Sequence, residues 1–336
     1  MAKIIDVAKH ANVSTATVSR VLRNPHAVKE VTRNRVLKSI EELNYQPNIL
    51  ARQLRRNKTN TILVVVPNIL NTVFSHIVSG IEYTASQNNY RVIFGNTGKV
   101  VAKEYDYLNV LKQRQVDGMI LLTCEIDIVT LNQIASEYSV VMVNEFYENL
   151  NMPIVSIDNR ESGRMATEHL IKLGHKKIAH ISGPITHYQA RERFSGYKKA
   201  LTQEGLELNN ELIVEGKYTL ESGYENMMKI LIPKKDFTAL FAANDAMAIG
   251  AMKAAKKLGY KIPRDLAIVG FDNIKMASIF EPELTTLAQP MNELGHKSME
   301  LLLESMENKQ VEKKRVVLKT ELIIRKSCGS FLRSKM

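Results

Sequence analysis

Val13-Ser14-Thr15-Ala16-Thr17-Val18-Ser19-Arg20-Val21-Leu22 is the stretch from which the rest of the chain can be read. Ser14 can cap a helix start, because a serine oxygen placed there accepts from the free N–H groups of the first turn. Helical spacing turns Val18 and Val21 one way and sets Thr15, Ala16, Ser19 and Arg20 in the opposite sector. That outer sector is small, hydroxyl-bearing and cationic, with nothing bulky to keep a partner away. Before it, Ile5-Asp6-Val7-Ala8-Lys9-His10-Ala11 reads as a short apolar-faced helix, joined through Asn12-Val13. Two short helices, a tight turn and a polar outer face describe a helix-turn-helix, whose second helix enters the DNA major groove. The competing reading is a helical hairpin at the edge of an ordinary core.

Charge distribution favours the first reading. The 336 residues carry a net charge of +11. Residues 1–60 hold 12 Lys and Arg against 4 Asp and Glu, while the rest hold 34 against 31. A basic head on a nearly neutral body favours a polyanionic partner for the head. An apolar content of 45% with 24% charged residues is the composition of a soluble globular protein. The two cysteines, Cys124 and Cys328, lack metal or redox spacing and read as free thiols of a reducing compartment. No apolar run approaches the ~18 residues of a membrane span, and the start lacks a signal peptide's apolar core. The expected location is the cytoplasm.

A third helix is expected over residues 30–43, with Val36, Ile40 and Leu43 closing a miniature core. Tyr45-Gln46-Pro47 stops it, since the residue before proline avoids the helical region. Asn48 then caps a very short segment, Ile49 to Arg56, in which Ile49, Leu50 and Leu54 sit among three arginines. Helices this short are marginal in water, so it needs a surface to order against. It reads either as a basic interdomain linker or as a hinge helix that forms on DNA and offers a leucine to the minor groove.

From Thr61 the pattern becomes alternating strands and helices. Thr61-Ile62-Leu63-Val64-Val65-Val66 opens a first series, and a second follows the helix expected over residues 160–173. Continuous apolar strands linked by helices mean parallel sheets covered on both faces, with ligand space at their carboxyl ends. The fold class expected is an all-α helix-turn-helix head plus an α/β two-lobed core of two doubly wound parallel sheets. The divisions expected are the head over 1–47, the hinge helix and linker over 48–60 and the core over 61–336. Within the core, lobe 1 takes about 61–158 plus 291–318, and lobe 2 about 159–290 plus 319–327. The tail 315–324 reads as strand-like.

The run from Ile5 to Leu22 with Asn44-Tyr45-Gln46-Pro47-Asn48 closely resembles the lactose/galactose repressor family. So do Gln115-Val116-Asp117-Gly118, Ala243-Asn244-Asp245-Ala246-Met247-Ala248, Val269-Gly270-Phe271-Asp272-Asn273 and Leu284-Thr285-Thr286-Leu287-Ala288-Gln289-Pro290. The likeness runs in order along nearly the whole chain. Val141-Met142-Val143-Asn144-Glu145-Phe146 looks most like the cytidine-repressor branch. Residues 327–336 fall outside the pattern and receive no role.

The resemblance implies a homodimer on a pseudo-palindromic, double-stranded DNA operator, without a membrane and without a cofactor or metal. Thr15, Ala16 and Arg20 would read bases, and Ser14, Thr17, Ser19 and Asn24 would touch phosphates; Asn48 and Leu54 would serve the hinge, with Leu54 as the minor-groove wedge. Arginine suits bidentate pairing with guanine and short hydroxyls suit phosphates. In the core the matched effector positions are Phe74, Arg193, Tyr218, Asn244, Asp272 and Gln289, each expected to follow or end a strand. Arg193 and Asp272 could hold vicinal hydroxyls while Phe74 and Tyr218 present ring faces. The implied function is a transcriptional repressor under small-molecule control, with a nucleoside effector preferred to a free sugar. A sugar-binding protein of the periplasmic type shares such a core and is the competing class.

Enzymatic readings find little support. Gly95-Asn96-Thr97-Gly98-Lys99-Val100 is like a phosphate loop, but its glycines are too close and Val100 cannot serve Mg²⁺. His175, His180 and His187 lack metal-binding spacing, and no nucleophile elbow occurs.

Overall fold

The computed structural model describes residues 2–46, 58–145, 149–232, 236–308 and 314–333. The expected hinge residues Asn48 and Leu54 lie outside the described residues. Two compact units make up the chain, Met1–Thr59 and Asn60–Met336.

In the first unit, helix α1 (Ile4–His10) leads through Asn12 to α2 (Thr15–Arg23), and α3 (Glu30–Glu42) follows. Asn12 takes φ +49°, a left-handed turn that asparagine tolerates better than most side chains. Ser14 Oγ accepts from Thr17 N at 3.2 Å, so the cap expected from the sequence forms. Val7, Ala8, Ala11, Val18, Val21 and Val36 are buried together, with Ile40 and Leu43 packed at the margin. His10 Nδ1 and Ser39 Oγ lie 3.0 Å apart, and Ser39 Oγ also donates to Arg35 O, so a polar link ties α1 to α3.

The second unit contains two six-stranded sheets among its described residues. The first orders β11 (Arg315–Leu318), β5 (Ile154–Ile157), β4 (Val140–Val143), β3 (Gly118–Leu122), β1 (Thr61–Val66) and β2 (Arg91–Asn96), all parallel. The second orders β12 (Glu321–Ile323), β10 (Thr285–Ala288), β9 (Ala267–Asp272), β8 (Ala239–Ala242), β6 (Ile178–Ser182) and β7 (Ile213–Glu215). Every residue of β1, β3, β4, β8 and β9 is buried, as strands covered on both faces must be.

Two features differ from the expectations, and a third refines them. The sheets are not wholly parallel, because β12 pairs antiparallel with β10. The tail expected to be strand-like over 315–324 is two strands, one in each sheet, broken at Lys319-Thr320, where the division between the lobes was expected. The chain therefore passes between the lobes three times: after β5, after β10 into α11 (Met291–Glu307), and between β11 and β12. Residues 327–333, given no role above, are built into the second lobe. Ser327 Oγ donates to Ile268 O and accepts from Thr285 N, stitching β9 to β10. Cys328 is 2% exposed, and like Cys124 it is a buried free thiol.

Candidate functional sites: an exposed recognition helix and an interlobe cleft

Within the first unit, Ser14, Thr15, Ala16, Arg20 and Asn24 are exposed and Thr17 and Ser19 are half-buried, while Val18 and Val21 are fully buried. Ser14 Oγ and Thr17 Oγ1 lie 3.0 Å apart at the start of α2. One helix thus presents a row of hydroxyls and the guanidiniums of Arg20 and Arg23 while its valines hold it to the unit.

Within the second unit, a cleft of about 370 Å³ opens where the carboxyl ends of both sheets meet. Phe74, Arg193, Tyr218, Asn244, Asp272 and Gln289 all line it. Four of them follow or end strands: Asp272 ends β9, Asn244 follows β8 and caps α10 (Asp245–Lys257), Gln289 follows β10, and Tyr218 lies in the loop after β7. Phe74 and Arg193 do not, contrary to expectation. Phe74 stands in the first turn of α4 (Thr72–Gln87), and Arg193 lies on α8 (Tyr188–Gln203). Both side chains reach the cleft from helices rather than from strand ends.

Arg193 and Asp272 are each 5% exposed, and Arg193 Nη1 lies 3.8 Å from Asp272 Oδ1. Arg193 Nε donates to Asn159 Oδ1 at 2.9 Å and Nη1 to Ala243 O at 2.6 Å. Its guanidinium carbon stands 3.5 Å from the centre of the Phe271 ring. A buried cation keeps its charge only when it is paired and hydrogen-bonded in this way. Neighbouring Glu192 pairs instead with Arg160 at 2.8 Å, so Arg193 is not part of a surface ion pair. Gln289 Nε2 donates to Asp272 Oδ1 at 2.6 Å. Burial pushes the Asp272 carboxyl up to about 6, against the downward pull of Arg193 and of the Gln289 hydrogen bond. Burial likewise raises the Tyr218 phenol to about 12. The Tyr218 hydroxyl and Gln289 Oε1 are buried without a hydrogen-bond partner among the described residues.

Backbone strain gathers at the same place. Thr123, Asn144, Tyr218 and Asp272, all lining the cleft, have φ of +64°, +65°, +60° and +113°. Each such residue costs about 1–3 kcal/mol and persists only where its surroundings hold it, as they do at binding sites.

Several positioning residues escaped the sequence reading. Asp245, fully buried, accepts from Thr286 Oγ1 at 2.6 Å and from Ile274 N at 2.9 Å, and so fixes the turn after Asp272. Arg325 holds the same turn through Asn273 Oδ1 at 2.7 Å. The pairing of Asn244 with Asp245 at a strand-to-helix junction was the available signal for the first of these. Gly163 lets α7 (Asn159–Lys172) approach α8, since a Cβ there would meet Arg193 O at 2.3 Å. Gly183 leaves room for Tyr218, whose ring would lie 2.1 Å from an added Cβ.

A helix-turn-helix unit joined in one chain to a two-lobed core with a polar cleft defines a ligand-responsive DNA-binding regulator. Residues 3–48 match the model for bacterial regulatory proteins of the lacI family, and residues 167–328 that for the periplasmic binding protein-like domain. The HTH-type transcriptional repressor CytR of Escherichia coli (strain K12) is 40% identical over 96% of this chain and 95% of its own. The repressor PurR of Vibrio vulnificus is 36% identical over 97% of this chain and 98% of its own. Among solved structures, the lac repressor dimer bound to operator and the anti-inducer ONPF superposes with a TM-score of 0.89 at 29% identity, covering 97% of this chain and 99% of that one. The chain belongs to the lacI family of bacterial regulatory proteins. It is a transcriptional regulator and not an enzyme. Among the described residues no helix is long and apolar enough to cross a membrane.

Proposed function

We propose that this protein is a dimeric cytoplasmic repressor that leaves its operator when a nucleoside binds in the interlobe cleft. Thr15, Ala16 and Arg20 read base edges, and Ser14, Thr17, Ser19 and Asn24 hold phosphates. An exposed guanidinium on a helix suits the O6 and N7 of guanine, and the flanking hydroxyls suit the backbone. The dimer is carried over from the lac repressor complex, a dimer on its operator, and a two-fold protein calls for a pseudo-palindromic operator.

The observation that carries the effector assignment is the buried Arg193–Asp272 pair in a cleft also lined by Phe74 and Tyr218. Asp272 accepts from ligand hydroxyls, Asn244 and Gln289 orient them, and the two rings flank a planar base. A ribose with its base attached satisfies both ends of such a site, whereas a free sugar leaves the rings unused. Likeness to the repressor CytR adds weight to a nucleoside. A ligand can release DNA only by binding the released arrangement of the lobes more tightly than the DNA-bound one. Calorimetry of the full chain against cytidine, adenosine, ribose and galactose tests the assignment. Binding of a nucleoside supports it, and tight binding of a free sugar with no response to any nucleoside overturns it.

A further inference from the structure

Three passages of the chain join the lobes, and side-chain contacts tie all three together. The first runs through Asp158 into α7, which Asp158 caps by accepting from Glu161 N at 2.8 Å. Ser162, 1% exposed, donates its hydroxyl back to Asp158 O at 2.5 Å. Its oxygen lies 2.8 Å from Thr320 Oγ1 in the third passage. A hydroxyl carries one hydrogen, so Thr320 is the donor of that bond. The second passage starts at Gln289, whose Nε2 donates to Asp272 Oδ1 at 2.6 Å.

Arg193 joins the first passage to the second. Its Nη1 lies 3.8 Å from Asp272 Oδ1, and its Nε donates at 2.9 Å to Oδ1 of Asn159, the first residue of α7. Asn159 is 2% exposed and is not among the residues that line the cleft. Its Nδ2 is buried without a partner among the described residues. The amide cannot turn over to relieve this, because Nδ2 would then face the N–H of Arg193. The main chains of α7 and α8 touch on both sides of the bond. An added Cβ at Gly163 would meet Arg193 O at 2.3 Å, and one at Gly196 would meet Arg160 O at 2.0 Å. Backbones packed this closely hold their relative place, so a change at the guanidinium reaches Asn159 through the side chains. A guanidinium drawn toward a ligand leaves both ends of a buried amide unpaired, and the first passage has to shift to pair them.

We propose that Asn159 is a positioning residue for ligand control, carrying the state of the Arg193 guanidinium to the three passages without itself touching the ligand. Asn159, Ser162 and Gln289 thereby bind the passages into one unit whose setting follows the cleft. The inference rests on the reading that cleft occupancy controls DNA binding, and it is independent of the ligand's class.

Hydrogen–deuterium exchange of the full chain without ligand tests the network. Asn159→Ala removes the acceptor and the unpaired donor together. Exchange over residues 289–294 should quicken by about tenfold, while β1 and β8 keep wild-type protection. Asn159→Asp restores an acceptor for Arg193 and should return residues 289–294 to wild-type protection. Gln289→Ala, at the half-buried edge of the cleft, is the reciprocal test and should quicken exchange over residues 158–163. It alters no buried core position, so it decides the matter even where Asn159→Ala fails to fold. Changes confined to the mutated passage, in either variant that keeps β1 and β8 protected, overturn the inference. The second readout is the ratio of DNA affinities without and with cytidine. In Asn159→Ala that ratio should fall below about threefold, whereas loss of packing alone would weaken both affinities and leave it unchanged. A wild-type ratio surviving in Asn159→Ala overturns the inference. A wild type indifferent to cytidine refutes the nucleoside reading, and the exchange result then decides the role of Asn159 by itself.

Discussion

Asp272→Asn should separate ligand binding from stability, and in opposite directions. The carboxylate sits 5% exposed, 3.8 Å from the Arg193 guanidinium and 2.6 Å from Gln289 Nε2, with φ of +113°. Burial raises its pKa from 3.8 to about 6 despite both partners. The folded protein therefore binds a proton more tightly than the unfolded chain. Stability falls as pH rises through the window from about 4 to about 6, and at pH 7 the loss is complete. Two pK units correspond to about 3 kcal/mol. Asparagine removes that charge, keeps one acceptor and tolerates positive φ, while Arg193 retains Asn159 and Ala243. The ligand-free variant should be as stable as the wild type at pH 7 or more stable, by up to about 3 kcal/mol, and should lack this part of the pH dependence. A ligand hydroxyl on a charged partner contributes about 1.5–3 kcal/mol, so nucleoside affinity should fall by about tenfold to a hundredfold or somewhat more. Thermal melts at pH 5.0 and 7.0 with calorimetry at pH 7.0 measure both effects. A variant that is clearly destabilised at pH 7 without ligand, or one that binds nucleoside as the wild type does, refutes the reasoning.

Other expectations follow from single residues. Arg20→Ala should weaken operator binding by roughly 1–3 kcal/mol and relax the preference at one base pair per half-site; equal losses on operator and random DNA would make Arg20 only a phosphate contact. His180 is fully buried against Tyr197 and Phe241, and burial holds it down to about 4, the hydrogen bond to Phe241 O opposing. The unfolded chain takes up that proton first, so stability should fall by about 3 kcal/mol as pH drops from 6.5 to 4. His180→Phe should flatten that limb of the acid titration, and an unchanged limb would place the sensitivity elsewhere. Gly183→Ala should displace the Tyr218 ring and lower nucleoside affinity while DNA affinity without ligand stays unchanged; a ligand affinity equal to wild type would show that Tyr218 does not need its present position.

Much of the architecture was legible because it rests on local chemistry. Ser14 before an apolar pair, and six consecutive apolar or β-branched residues from Thr61, announce a capped helix and a buried strand without any tertiary information. Less legible was whatever depends on contacts between distant segments. The crossing between 318 and 319 was legible, while the partner strand and the antiparallel sense of the last strand come only from pairing with β5 and β10. Ser327 looks like tail until Ile268 and Thr285 are seen to bracket it. Arg193 was legible as a residue but not as a position, since its reach back from α8 depends on the contact at Gly163. The first-lobe side of the cleft was hidden for the same reason. Glu104, Glu125 and Asn144 come from separate segments and share a wall only once they line one cavity.

The central claim is that occupancy of the interlobe cleft controls occupancy of DNA. Fluorescence anisotropy of the full-length protein on a labelled fragment from the region upstream of its own gene, titrated with cytidine, tests that coupling directly. The account predicts tight binding without nucleoside, release as cytidine is added, and an Asp272→Asn protein that binds the fragment as well as the wild type yet stays bound at cytidine concentrations that free the wild type. DNA affinity that is the same with and without a nucleoside shown by calorimetry to fill the cleft would contradict it.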